Sequence, residues 1–163
     1  MANYQVATQD EDTLKNKFLT FNIAGGIYGI EIRYVKEIIS VQPITIIPEM
    51  DGYIKGVVNL RGKIVPIMDV RIRFGKPEKQ PDEQTCFIVV DMKNISIGLL
   101  VDRVRDVVYI PEEEISAPPQ VSDRKSDYIA GVTRGGGEIK LLIDCRKLLS
   151  GQERELLQSA IGG

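Results

Sequence analysis

Residues 56–71 read Gly-Val-Val-Asn-Leu-Arg-Gly-Lys-Ile-Val-Pro-Ile-Met-Asp-Val-Arg, and the fold can be worked outward from them. Two runs rich in β-branched residues, Tyr53–Asn59 and Lys63–Asp69, flank a turn with Leu60-Arg61-Gly62 at its tip. Gly62 has no Cβ and takes the positive φ that a tight turn demands. Arg61 then sits on a short connection between two apolar strands, and its guanidinium is expected not to fold back into the core. A lone Arg-Gly turn is ordinarily no more than a solvated turn. Here, however, the whole unit occurs twice.

Tyr53-Ile54-x-Gly56-Val57, Gly62-x-Ile64, Ile67, Asp69 and Arg71 recur as Tyr128-Ile129-x-Gly131-Val132, Gly137-x-Ile139, Leu142, Asp144 and Arg146, at a uniform offset of 75 residues. Upstream, Phe18, Gly29, Ile32, Val35, Glu37 and Ile38 recur at an offset of 69 as Phe87, Gly98, Val101, Val104, Asp106 and Val107. Ile47-Pro48 answers Ile110-Pro111 at an offset of 63. Such self-similarity means one supersecondary unit used twice. The offsets place a twelve-residue insertion between Pro111 and Tyr128.

Taken in order, residues 1–16 are polar and acidic and read as a flexible N-terminal segment. Phe18–Ile23 and Ile27–Ile30 form a hairpin around Ala24-Gly25-Gly26. Glu31–Tyr34 allows one helical turn, and Val35–Val41 is a third strand. Gln42–Gly52, with Pro43 and Pro48, is a loop before the two strands of the opening motif. Arg71–Phe74 reads as a short helix and Gly75–Glu83 as a linker. The plan then repeats through Gln84–Asp91, Ile95–Val101, Val104–Tyr109, Tyr128–Arg134 and Glu138–Asp144. Ser150-x-x-Glu153 opens a C-terminal helix with a capping box. The expectation is a mainly β protein of ten short strands in two five-stranded barrels, residues 17–83 and 84–149, with a helix in 150–163. Closing the sets into barrels removes most exposed strand edges.

The 163 residues carry 43% hydrophobic and 27% charged side chains with a net charge of −2, an ordinary globular balance with no general polyanion-binding surface. Cys86 and Cys145 form no Cys-x-x-Cys pair and read as buried thiols in a reducing compartment. Neither a signal peptide nor a membrane-spanning run is expected, so the cytoplasm is the default. The chain has no histidine, which removes the commonest general base and metal ligand. No metal or cofactor is expected. Asp69 and Asp144 are repeat partners whose pairing would suit an acid–base dyad, but the Asp-x-Arg context of each favours a helix cap. Gly135-Gly136-Gly137 lacks a following Lys-Ser/Thr and reads as a hairpin, not a phosphate cradle. Val35 and Val104 are repeat equivalents suited either to the core or to a groove between barrels that takes a helix. Glu37 interrupts an apolar alternation and reads as a rim or edge residue. Other classes stay open beside a binding module: a small barrel for nucleic acid or a small ligand, and a hydrolase using the aspartate pair.

The blocks Tyr28-Gly29-Ile30-Glu31-Ile32-x-x-Val35-x-Glu37-Ile38, Ile54-Lys55-Gly56-Val57-x-Asn59-Leu60-Arg61-Gly62-x-Ile64-x-Pro66-Ile67-x-Asp69-x-Arg71 and Val101-Asp102-x-Val104 together resemble the CheW family of bacterial chemotaxis coupling proteins. The resemblance covers about residues 16–160. It implies two SH3-like barrels sharing a hydrophobic core. It also implies a non-enzymatic adaptor, monomeric in isolation, that joins the cytoplasmic domain of chemoreceptors (methyl-accepting chemotaxis proteins) to the regulatory domain of the histidine kinase CheA, at membrane receptor arrays. By the same resemblance Ile32, Val35 and Val104 match receptor-binding groove positions, and Glu37, Gly56 and Arg61 match receptor or kinase coupling positions. Ile115, Ser116 and Val121 match a second kinase-facing or ring-forming surface. CheV-like relatives add a receiver domain and CheA-like ones add catalytic domains; with neither in this sequence, a stand-alone adaptor is expected. Arg61→Asp is expected to leave the fold intact and abolish coupling.

Overall fold

The structure is a computed structural model that describes residues 4–5, 11–50, 52–92, 94–118 and 127–161. Its strands are β1 (Tyr4–Gln5), β2 (Lys17–Ile23), β3 (Gly26–Glu31), β4 (Val35–Ser40), β5 (Ile54–Leu60), β6 (Lys63–Asp69), β7 (Cys86–Met92), β8 (Ile95–Val101), β9 (Arg103–Tyr109), β10 (Ile115–Ser116), β11 (Ile129–Gly135) and β12 (Glu138–Ile143). The helices are α1 (Glu11–Leu14), α2 (Val70–Arg73) and α3 (Gly151–Ile161). All ten expected strands are present, Lys63–Asp69 and Ile95–Val101 with the expected bounds and the others with ends shifted by one or two residues. The capping box is also present: Ser150 N donates to Glu153 Oε1 at 2.9 Å and Glu153 N donates to Ser150 Oγ at 3.1 Å.

Sheet I has the order β1-β4-β7-β8-β6-β5, and sheet II has β10-β11-β12-β3-β2-β9. The repeat converts one into the other: β4, β7, β8, β6 and β5 correspond to β9, β2, β3, β12 and β11. Even the bulges match, between Ile54 and Gly56 in sheet I and between Ile129 and Gly131 in sheet II. The division at residues 83 and 84 into a first and a second barrel is corrected by this topology, because each sheet draws on both halves. The physical reason lies at two crossings. The β2–β3 hairpin stays in sheet II, and the 3-10 turn Ile32–Tyr34 carries the chain into β4 of sheet I. The β7–β8 hairpin stays in sheet I, and Asp102 carries the chain into β9 of sheet II. Parallel pairs β6–β8 and β12–β3 then lock the exchange.

Four further expectations change. The N-terminal segment is not wholly loose, since Tyr4 and Gln5 pair with Ile38 and Glu37 on the edge of β4, whose polar backbone groups need a partner. The segment between Pro111 and Tyr128, read as an insertion, contains β10, paired with β11. The Ile47-Pro48 match to Ile110-Pro111 has no structural counterpart. Thr45 bridges Val57, and Ser116 pairs with Val132, so Thr45 answers Ser116 at an offset of 71 and the insertion is split. The Gly75–Glu83 linker is tied down: Lys55 Nζ reaches Glu78 at 2.6 Å, Arg71 Nη1 donates to Pro77 O at 3.0 Å, and Lys79 pairs with Asp82 at 3.0 Å.

One large cluster joins both sheets, including Phe21, Ile23, Ile30, Ile88, Met92 and Ile97. Tyr28, Phe74 and Tyr128 meet in series across the seam as tilted ring pairs, at 4.9 and 4.8 Å between ring centroids. Arg73 lies 4.7 Å over Tyr128, and its Nε donates to Leu148 O at 2.9 Å. Inside the sheet I barrel sits a second cluster of Ile39, Val58, Leu60, Val65, Ile67, Phe87 and Val89. The corresponding cluster in sheet II is Phe18, Ile110 and Leu142. Both cysteines are free and buried.

Candidate functional site

The Asn59–Gly62 stretch works as a unit. Leu60 is buried in the barrel and pairs with Lys63, so the turn proper is Arg61-Gly62. Both residues have positive φ, 52° and 85°, the signature of a two-residue type I′ connection. Asn59 Oδ1 accepts from Gly62 N at 2.8 Å and fastens the turn. The repeat partner of Arg61 is Gly136, at φ 64°. Arginine therefore occupies a left-handed position where its duplicate uses glycine, at a cost of about 1 kcal/mol.

The offset to that cost is Glu37. Its side chain is 2% exposed, and Arg61 Nη2 reaches its two oxygens at 2.7 and 2.8 Å. The expectation that Glu37 lies on a rim is corrected, whereas Arg61 stays out of the core as expected while its Nη2 reaches back to the buried carboxylate. An unpaired buried carboxylate would be costly, and a guanidinium is the donor best matched to it. The pair spans the barrel mouth from β4 to the β5–β6 turn while leaving the Arg61 side chain 60% exposed. One cation is thereby held in place and presented to solvent. A cavity of about 200 Å³ lies beside it, lined in part by Lys36, Lys63, Val89 and Ser96. Arg61→Asp would bring a second carboxylate to buried Glu37, so that substitution is not neutral to the fold.

Gly56 stands behind the turn. Its φ is 145°, and a Cβ there would fall 2.1 Å from Thr45 O, in the bridge where Thr45 and Val57 exchange hydrogen bonds at 2.8 Å. Only glycine fits.

Ile32 and Val35 are core residues, 5% and 4% exposed, and Val104 is half-buried against the same cluster. The three are brought to one region, but only Val104 offers appreciable surface. Sequence reasoning missed Val107 and Tyr109, which are 47% and 63% exposed on β9. The run Val107-Val108-Tyr109 reads as an interior strand; the available signal was that β9 carries Arg103, Arg105 and Asp106 and must turn one face to water. Ile38, the repeat partner of Val107, is 8% exposed on the edge that β1 pairs with. At the far end, Ile115 is half-buried and Ser116 exposed on β10, and Val121 lies outside the described residues.

The aspartates do not converge on shared chemistry. Asp69 caps α2, accepting from Ile72 N at 3.3 Å, and burial raises its pKa above the usual carboxylate range. Asp144 caps the next corner, accepting from Arg146 N at 3.0 Å; burial opposes its ionisation, but hydrogen bonds from Arg146 outweigh it and lower the pKa. Among the described residues no three His, Cys, Asp or Glu side chains could hold a metal ion, and no helix is long and apolar enough to cross a membrane.

Residues 17–153 match the family model described as a CheW-like domain. The chain belongs to the CheW-like family. It is 36% identical over 149 residues to the chemotaxis protein CheW of Klebsiella aerogenes, covering 91% of this chain and 90% of that protein. It is 34% identical over 146 residues to the CheW of Treponema pallidum, covering 86% of each. The crystal structure of the scaffolding protein TtCheW from Thermoanaerobacter tengcongensis superposes with a TM-score of 0.78 at 32% identity, over 85% of this chain and 96% of that one. The CheV3 protein of Helicobacter pylori is 32% identical over 122 residues, but the match spans 39% of that longer protein. CheW-like membership accounts for both sheets and the closing helix.

Proposed function

We propose that this protein is a non-enzymatic chemotaxis adaptor that couples the cytoplasmic tips of chemoreceptors to a CheA-type histidine kinase. The observation that carries the reading is the Arg61–Glu37 pair. A strained turn and a buried carboxylate are spent on holding one exposed guanidinium, which barrel stability alone does not require, since Gly136 closes the equivalent turn without it. Arg61 acts as the contact, Glu37 as its positioning residue, and Gly56 fixes the strand beneath. Val104 and exposed Val107 offer an apolar strip to a receptor helix, with Ile32 and Val35 as the packed floor beneath it. Ile115 and Ser116 offer a separate surface to a second neighbour, and individually weak contacts of this kind can build an array through high effective concentration. The setting this implies is cytoplasmic, at receptor arrays.

The test is co-sedimentation of the purified chain with a receptor cytoplasmic fragment and the kinase, each alone and together. The reading expects all three to sediment together with raised kinase autophosphorylation. Binding of folded protein to neither partner would overturn it.

A further inference from the structure

The two corners that follow β6 and β12 are repeat equivalents with different charge balance. In the first, Arg71 forms a two-pronged pair with Asp102, Nε to Oδ1 at 2.8 Å and Nη2 to Oδ2 at 2.9 Å. In the second, the counterpart of Arg71 is Arg146, but the counterpart of Asp102 is Arg33, a cation that pairs with Glu31 instead. Arg146 therefore falls back on Asp144, with Nε and Nη2 each 3.0 Å from its oxygens, and lies over the Tyr34 ring. Lys147 stands where the first corner has Ile72. Arg154 arrives from the first turns of α3, and its Nη2 donates to Arg146 O at 3.4 Å.

These side chains, with Asp144 and Met92, line a cavity of about 290 Å³. Asp144 is taken up by Arg146, and among the described residues neither Lys147 nor Arg154 has an ion pair. Two cationic charges face the cavity uncompensated. Arg154 Nε is also the one buried side-chain nitrogen or oxygen among the described residues without a hydrogen-bond partner. A buried donor without an acceptor calls for an ion or water that completes it. Two spare charges and a guanidinium fork match a phosphate dianion, whose several acceptor oxygens can serve more than one cation.

We infer that the cavity between the Cys145–Lys147 turn and α3 binds a phosphate dianion, free or as a phosphomonoester, through Arg154 and Lys147 with Arg146 at its wall. This stands independently of receptor and kinase coupling. The bound anion would fasten α3 to the β12 corner, so ligand and helix docking would be linked.

The experiment is a backbone amide chemical-shift titration of the full chain with inorganic phosphate and with methyl phosphate, against sodium chloride at matched ionic strength, at about pH 7.5, where both are largely dianionic. The inference expects saturable shifts confined to residues around Arg146, Lys147 and Arg154. Affinity should fall roughly tenfold in Lys147→Gln and again in Arg154→Gln, the loss of one charge-assisted contact each. Lys147 is exposed, so its variant keeps the fold, and an unchanged melting midpoint without phosphate checks both. Tighter binding of methyl phosphate assigns the site to monoesters, and tighter binding of inorganic phosphate to the free ion. Non-saturating shifts equal to those with chloride, or saturable binding unchanged in both variants, would overturn the inference.

Discussion

The barrel of sheet I is lined by Ile39, Val58, Leu60, Val65 and Val89, whereas the counterpart positions of sheet II carry Val108, Thr133, Gly135, Lys140 and Thr20. The same strands in the same order enclose a full apolar plug in one barrel and, in the other, a smaller apolar cluster of Phe18, Ile110 and Leu142 beside polar side chains. Thr20 Oγ1 hydrogen-bonds Asp106, Thr133 Oγ1 donates to Glu114 O at 2.9 Å, and the Lys140 side chain is 13% exposed beside Glu138. The mouths differ in sign as well. Glu37 on β4 meets Arg61 on the turn in sheet I, while Arg105 on β9 meets Glu138 just past the turn in sheet II, at 3.4 Å. The duplicated unit supplies architecture, and its divergence marks where each barrel became specialised. The apolar interior gives the Arg61 turn a rigid base.

The two barrel interiors should differ most in what they tolerate. Val65→Lys should destabilise by roughly 4 kcal/mol, because the one carboxylate lining its cavity among the described residues, Glu37, is already taken up by Arg61. The reciprocal Lys140→Val should stay within about 1 kcal/mol. Urea unfolding of both variants measures the difference, and equal costs would mean that the two interiors are alike.

The glycines at the bulges come next. Gly56→Ala forces a Cβ into the Thr45 carbonyl and should cost roughly 4 kcal/mol. Gly131→Ala meets the Ile115 methyl at 2.6 Å, a side chain that can shift, and should cost about 1–2 kcal/mol. Thermal melts of the pair test the ranking.

A smaller effect, read by pH, separates two carboxylates of the first corner. Burial disfavours ionised Asp102, but the hydrogen bonds and charge of Arg71 outweigh it and lower its pKa. That stability is present above the ordinary carboxylate pKa and is lost as pH falls through the lowered, folded-state value. Asp69 has the opposite sign: its raised pKa costs stability at neutral pH, and the cost is relieved as pH falls through the raised value. Asp102→Asn should therefore flatten the loss of stability on the acid side, and Asp69→Asn should leave it intact. Chemical denaturation from neutral to acidic pH reads both. Smallest of all, Cys86 and Cys145, pushed by burial up to about 11 and about 12, should resist alkylation in the native state and react after unfolding.

The strands, the repeat and the capping box were legible because each is written in local spacing: period-two apolar runs, two fixed offsets and Ser150-x-x-Glu153. The exchange of hairpins between sheets was not. A repeat says which strands are equivalent, and it does not say which copy each one pairs with. Glu37 was misread for a related reason. A carboxylate inside a β-branched run looks like an edge residue until its partner, 24 positions away, is seen to reach it. Val107 was hidden by an apolar run, since exposure on β9 depends on β1 lying against β4 and not against its counterpart.

The most direct test of the central claim is to remove the Arg61 charge without harming the barrel. Arg61→Gly gives the left-handed position the residue its duplicate uses, and Glu37→Gln removes the buried charge that would be left behind. Arg61→Gly alone should lose about 2 kcal/mol, less than for a fully buried pair because solvent reaches the guanidinium, and the double variant should recover most of that. Receptor-stimulated kinase activity is then measured with the folded double variant. Lost stimulation with wild-type stability is the predicted result. Normal stimulation would contradict the account, leaving Arg61 and Glu37 as nothing more than a clasp on the barrel.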